Sequence, residues 1–128
     1  MRLLLDTHAM LWFLLDDARL SSQADGLISD LKNDIVVSPA SYWEIAIKIR
    51  LGKYALPEPL DAFFERELRR NRFDILPIEP KHAAVLTTLP LHHRDPFDRL
   101  LIGQAVAEGI SIVSSDAAFD AYGVERLW

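Results

Sequence analysis

Five short strand candidates, at residues 2–5, 35–37, 74–77, 110–113 and 124–127, are separated by stretches with the spacing and end signals of helices. Leu3-Leu4-Leu5 and Ile35-Val36-Val37 show no polar alternation, so they suit strands covered on both faces. Ser38-Pro39 and Asp95-Pro96 each pair a capping side chain with a proline at the first helical position. Gly52, Gly109 and Gly123 stand where helices would close. Helices are predicted over 7–15, 21–31, 39–51, 57–70, 80–89, 96–109 and 116–122. Strands alternating with helices predict an α/β architecture: a central, mostly parallel sheet of about five strands with helices on both faces.

A chain of 128 residues fits one domain, expected to span 1–128. Half of its residues are hydrophobic and 26% are charged, which matches a globular composition and excludes disorder as the main state. No cysteine is present, which excludes a disulfide scaffold, a thiolate zinc site and a cysteine nucleophile. No apolar run reaches the roughly 18 residues of a membrane helix, and no signal peptide is read at the start. A cytoplasmic location is the expectation. The net charge of −5 excludes a general basic coat for nucleic acid. Charge is unevenly placed, however: Lys48 to Arg72 holds seven basic residues against four acids. A basic patch on an acidic body can still hold a phosphate backbone, and a solvated helix face with paired charges is the other reading.

In parallel α/β sheets, ligands bind outside the carboxyl ends of the strands. Asp6 follows the first strand, Glu44 lies in the helix after the second, Asp95 and Asp98 open the helix before the fourth, and Ser114, Ser115 and Asp116 follow the fourth. Each also has a plain structural reading. Asp6 and Asp116 suit helix caps, Asp95-Pro-Phe-Asp98 has the spacing of a cap with an acid in the first turn, and Ser41-Tyr-Trp-Glu44 that of a capping box. Glu44 fits this reading least. Pro39 puts the helix start near Ser38, and Trp43 and Ile45 on either side predict a buried flank, where a carboxylate must be paired or metal-bound. Convergence of Asp6, Glu44, Asp98 and Asp116 would demand a divalent cation to offset mutual repulsion. Oxygen-only donors suit Mg²⁺ or Mn²⁺, and such sites suit hydrolysis of phosphodiesters.

These segments carry a specific resemblance. MRLLLDTHAMLW (Met1–Trp12), SPASYWEIAIKIRLGK (Ser38–Lys53), HRDPFDRLLIGQA (His93–Ala105) and IVSSDAAFDAYGV (Ile112–Val124) resemble, in order, the motifs of PIN-domain ribonucleases, in particular VapC-type toxins of bacterial toxin–antitoxin pairs. The resemblance implies a single PIN-like three-layer α/β/α sandwich and a metal-dependent endoribonuclease. It implies that Asp6, Glu44 and Asp98 hold the metal, that Asp116 binds it directly or through water, and that Ser114 supports the site where the family often has Thr. It also implies Mg²⁺ or Mn²⁺ as cofactor, RNA as substrate, a homodimer, and a VapB-type antitoxin that blocks the site.

Among the remaining polar residues, His8 is a candidate for contact with substrate phosphate or for helix packing, and Lys48 and Arg50 are candidates for steering phosphate. Arg99 is expected to pair with a neighbouring acid. His92-His93-Arg94-Asp95 suggests a zinc hydrolase site only weakly, for lack of a second histidine cluster. Trp12, Trp43, Trp128, Phe13, Phe63, Phe64 and Phe97 are expected mostly in the core, with base stacking as a second use. A signalling receiver domain would need an Asp ending the third strand and a Lys after the fifth, and neither is present. A haloacid-dehalogenase-like phosphatase would need Asp where His8 stands. A PIN fold that binds RNA or regulates without catalysis is the remaining alternative. Loss of a central acid would favour it, and all four acids are present.

Overall fold

The structure, a computed structural model, describes residues 1–91 and 95–128. His92, His93 and Arg94, and with them the histidine pair and the first two residues of the 93–105 motif, lie outside the described residues. The order of elements is β1 (Arg2–Leu5), α1 (Thr7–Leu14), α2 (Ser22–Ser29), β2 (Asp34–Val37), α3 (Pro39–Arg50), α4 (Leu60–Asn71), β3 (Asp74–Ile75), α5 (Pro80–Leu86), α6 (Pro96–Glu108), β4 (Ser111–Val113), a 3-10 helix (Ala117–Tyr122) and β5 (Arg126–Leu127).

The strands form one sheet in the order β3-β2-β1-β4-β5, with every pair parallel rather than most. β1 is central, with Leu4 registered against Val36 of β2 on one side and Ile112 of β4 on the other. Successive side chains of a strand point to opposite faces, and the core divides accordingly. Leu3, Leu5, Ile35, Val37 and Val113 pack with residues of α1 to α4, among them Met10, Ile28, Ile45, Phe63 and Phe64. Leu4, Val36 and Ile112 face the other way, onto Leu101, Ile102 and Ala105 of α6 and onto Phe119. The strands lack alternation because both faces are covered, giving the three-layer α/β/α sandwich expected.

The second layer is tightened by one glycine. A Cβ on Gly103 would meet the backbone oxygen of His82 at 2.7 Å, so α5 lies on α6 at a distance only glycine permits. Gln104 of α6 donates to the Leu76 carbonyl at 2.9 Å and ties the helix to the end of β3.

Several boundaries differ from the sequence reading for local reasons. α4 begins at Leu60, not Pro57, because Glu58 precedes Pro59 and is biased away from helical backbone. α5 ends at Leu86 rather than Leu89, where Thr87 and Thr88 turn their hydroxyls back onto the carbonyls of Ala84 and Val85. β3 is only two residues at the sheet edge, since Pro77 has no donor to extend it. Residues 117–122 form a 3-10 helix instead of an α-helix. Trp43 is 63% exposed, against the expectation of a core position. The inward face of α3 is Ala40, Ser41, Glu44 and Ile45, and helical periodicity puts Trp43, Ile47 and Leu51 on the outward side. Phe63 and Phe64 are buried as expected, while Trp12, Phe13, Phe97 and Trp128 are partly exposed.

Among the described residues no helix is long and apolar enough to cross a membrane.

Candidate active site

The chain runs outward from β1 through β2 to β3, then returns to place β4 on the far side of β1. That reversal opens a crevice at the carboxyl ends of β1 and β4. Asp6 and Ser114 stand on its two sides, joined by the hydrogen bond from the Asp6 amide to the Val113 carbonyl at 3.1 Å.

Asp6 is 4% exposed and caps α1, its Oδ1 accepting from the Ala9 amide at 2.7 Å. Burial pushes its carboxyl pKa above the ordinary value. The Ser114 hydroxyl, the Ala9 amide and the nearby His8 oppose that shift, and the charge of Asp116 adds to it. The electrostatic pairing places Asp116 close to Asp6. Ser114 is fully buried and links the two, because its Oγ also accepts from the Asp116 amide at 3.0 Å. Asp116 is itself exposed and caps the 3-10 helix through Ala118.

α3 brings Glu44 to the same crevice, packing against both α1 and α6. Thr7 donates to the Ser41 hydroxyl at 3.0 Å, fixing the first turn of α1 to α3 one turn before Glu44. Glu44 is 3% exposed, and its Oε2 accepts from Lys48 at 2.7 Å. Its Oε1 is buried and has no hydrogen-bond partner among the described residues. A capping box is excluded, because Ser38 caps α3 through Ala40 and Glu44 lies a turn deeper than a cap partner. Burial works against the Lys48 charge, but the hydrogen bond and charge of Glu44 keep its pKa above the usual lysine value.

Asp98 arrives on the first turn of α6. Asp95 is the cap, as its sequence position predicted, with Oδ1 accepting from Phe97 at 2.8 Å and from Asp98 at 3.3 Å. Phe97 meets Trp43 edge to face at 5.3 Å, which sets the start of α6 against the outer flank of α3 beside Glu44. Asp120 is occupied elsewhere, in a two-pronged pair with Arg126. Arg99 donates to the carbonyls of Pro90, Leu89 and Leu86 at the end of α5. Those contacts are backbone contacts, not the acid pairing expected.

Asp6, Ser114, Asp116, Glu44 and Asp98 therefore share one rim of the sheet. In this arrangement the four acids do not bring three ligand atoms within 4.8 Å of one another. Among the described residues, the trio that does is Glu79, His82 and Glu108. Its chemistry opposes a metal. His82 Nδ1 accepts from the Glu79 amide at 2.9 Å, so the neutral ring carries its proton on Nε2, the atom that faces Glu108. Lys81 already holds Glu108 at 2.8 Å. The buried Glu44 Oε1, with no partner among the described residues, is the better cation contact, since a desolvated carboxylate oxygen without a donor is costly.

His8 is exposed, and its Nε2 lies 2.9 Å from the Tyr54 hydroxyl, at the edge of the acidic rim. Lys48, besides holding Glu44, sits 5.3 Å above the Tyr54 ring. Arg50 is exposed and lies about 9 Å farther along α3 than Glu44, away from the acids. Tyr54 was missed from sequence, because it stands in an irregular segment after Gly52 where no periodicity singles it out.

The PIN domain family matches residues 3–125. Ribonuclease VapC16 of Mycobacterium tuberculosis is 36% identical over 63 residues, 49% of this chain and 45% of that protein, so the matched segment spans under half of that relative. Ribonuclease VapC22 of the same organism is 28% identical over 114 residues, 88% of this chain and 85% of that protein. Among solved structures, VapBC2 from Rickettsia felis, bound to a promoter DNA fragment, aligns over 99% of this chain and 98% of that one with a TM-score of 0.71 at 16% identity. FitAcB from Neisseria gonorrhoeae aligns over 98% and 96% with a TM-score of 0.69 at 17% identity. At these identities the structural likeness establishes the fold. With a family match across nearly its whole length and the sheet order and crevice described above, the chain belongs to the PIN domain family.

Proposed function

We propose that the chain is a VapC-like ribonuclease toxin: an endoribonuclease that hydrolyses RNA phosphodiester bonds with Mg²⁺ or Mn²⁺, and that a VapB-type antitoxin neutralises. The observation that carries this reading is the pairing of buried Asp6 and Ser114, linked to the exposed Asp116, with a buried Glu44 oxygen that has no hydrogen-bond partner among the described residues. The relatives named Ribonuclease VapC16 and VapC22, and the fold shared with VapBC2, support it.

Asp6, Glu44, Asp98 and Asp116 are the residues that would hold the cation, and their all-oxygen donor set fits Mg²⁺ or Mn²⁺. When bound, such an ion supplies a water of lowered pKa and neutralises charge on the phosphate. The protein's own groups supply the rest. Ser114 keeps the Asp6 carboxylate oriented, and the Ala9 amide fixes its rotamer. Lys48 neutralises Glu44 from one oxygen and leaves the other for the ion. His8, held by Tyr54, is placed to contact a substrate phosphate, and Arg50 acts at longer range by charge. In this reading the active form is a homodimer confined to the cytoplasm.

Water as nucleophile leaves a 5′-phosphate and a 3′-hydroxyl, whereas attack by the RNA's own 2′-hydroxyl leaves a cyclic phosphate. The test is cleavage of single-stranded RNA by the purified chain, with analysis of the product ends. The expected result is 5′-phosphate ends and loss of cleavage in chelator and in Asp6→Asn. Full activity in chelator, or 2′,3′-cyclic phosphate ends, would overturn the reading. Binding of RNA by the intact protein with no cleavage in any divalent cation would favour the non-catalytic alternative.

A further inference from the structure

A cleft of about 240 Å³ lies between α1 and the segment 53–56, opening at His8 beside the acidic rim. Trp12, His8 and Tyr54 supply three rings, with His8 5.6 Å from Trp12 and 6.4 Å from Tyr54 between centroids. Arg19 lays its guanidinium 5.0 Å from the Trp12 ring centre, and Asp17 braces it through Nε at 3.0 Å and Nη2 at 2.8 Å. Lys53 completes the lining, with no ion pair to any described residue.

We propose that this cleft binds an unpaired nucleobase of the RNA substrate, stacked against Trp12 and the Arg19 guanidinium, with Lys53 facing an adjoining phosphate. The inference rests on the ribonuclease reading and adds a substrate-recognition subsite to it. Flat rings and a braced guanidinium plane are the surfaces on which unpaired bases stack. Trp12 lies six residues beyond Asp6, about 9 Å along α1, so an occupant reaches it while the neighbouring backbone lies at the acids. A lysine with no ion pair among the described residues, in a chain of net charge −5, favours an anionic occupant over an apolar protein segment. Duplex RNA presents no free base to the cleft, so the subsite selects single strands.

The test uses the full chain and short single-stranded oligoribonucleotides, intact or carrying one abasic residue at successive positions around the cleaved bond. One abasic position should raise the wild-type KM about 5- to 100-fold with kcat nearly unchanged, and Trp12→Ala should raise KM for intact RNA to a similar degree. In Trp12→Ala the abasic position should then have no further effect. Trp12 also touches Trp128 at 5.8 Å, so the exposed Lys53→Ala provides a variant that leaves the packing intact. It should weaken RNA binding in chelator and reduce the slope of log affinity against log salt by about 0.7. Wild-type cleavage with no abasic position distinguishing it from Trp12→Ala overturns the subsite and leaves the ribonuclease reading standing. So does a Trp12→Ala variant that loses antitoxin affinity while its KM for RNA is unchanged. A wild-type protein that neither cleaves nor binds single-stranded RNA overturns both.

Discussion

Replacing Lys48 by methionine removes the charge facing Glu44 while keeping most of the side chain's length. In the wild type, Glu44 has one oxygen on Lys48 at 2.7 Å and one with no partner among the described residues. The variant leaves a carboxylate, 4% exposed at its side chain, with neither oxygen paired to a described residue. Breaking a buried ion pair by deleting one member costs about 3–5 kcal/mol. Lys48 is 27% exposed, so water already shares its charge, and the expected loss is about 2–3 kcal/mol. For a domain of this size that is a fall in Tm of about 6–15 °C, read by thermal or urea unfolding in chelator. The double variant Glu44→Gln/Lys48→Met removes both charges and should recover most of the loss. Mn²⁺ should stabilise Lys48→Met more than it stabilises the wild type, since the cation replaces the missing charge. A Lys48→Met protein within about 0.5 kcal/mol of wild type, or a double variant no more stable than the single one, would refute this account of Glu44.

Asp6→Asn keeps a competent helix cap, so folding should survive while Mn²⁺ binding by calorimetry is lost. Burial raises the Asp6 pKa, so ionised Asp6 costs metal-free wild type stability at neutral pH, and that cost fades as pH falls through the raised pKa toward 3.8. Asp6→Asn should therefore exceed wild type in stability in chelator at neutral pH, with the advantage shrinking on acidification in a urea series. Asp6→Ala, which also loses the cap, should fall about 0.5–2 kcal/mol below Asp6→Asn in the same urea series. Gly103→Ala should destabilise by about 1–3 kcal/mol in urea unfolding, because the new methyl meets backbone at 2.7 Å and α5 must move as a unit.

The fold was legible because its strands are covered on both faces. Leu3-Leu4-Leu5 and Ile35-Val36-Val37 are apolar throughout since odd and even residues each meet a helix layer. Ser21, Ser38 and Asp95 announced their helices because capping is local chemistry. Element lengths were less legible where proline competed with propensity, as at Pro59, or where a hydroxyl closed the helix early, as at Thr87. In the candidate site, Asp6 and Ser114 were readable from their place after strands, whereas Tyr54 was not. Its role depends on contacts with His8 and Lys48, which are 46 and six residues away and meet only in the folded chain. Trp43 went the other way: its apolar type argued for the core, but the helical phase set by Glu44 and Ile45 turns it outward.

Capping and metal chemistry are not competing explanations for most of these acids. In a parallel α/β unit, the residue that ends a strand also begins a helix, and it stands over the crevice where ligands bind. An aspartate there satisfies the first amides of the helix and faces the ligand with the same carboxylate, and the cap fixes its rotamer in advance. Asp6 performs the first duty and is placed for the second in the proposed site, with Oδ1 on the Ala9 amide while the carboxylate takes the Ser114 hydroxyl and feels the Asp116 charge. Glu44 has no such second duty. It lies inside α3, beyond the reach of the cap at Ser38, in a buried position where a charge without full compensation is costly. The helix would tolerate leucine or methionine at that position with better packing and no ionic cost. A buried glutamate with one oxygen on lysine and the other without a partner among the described residues is what the proposed cation site would explain, and it is the residue on which a structural and a catalytic account of this crevice part.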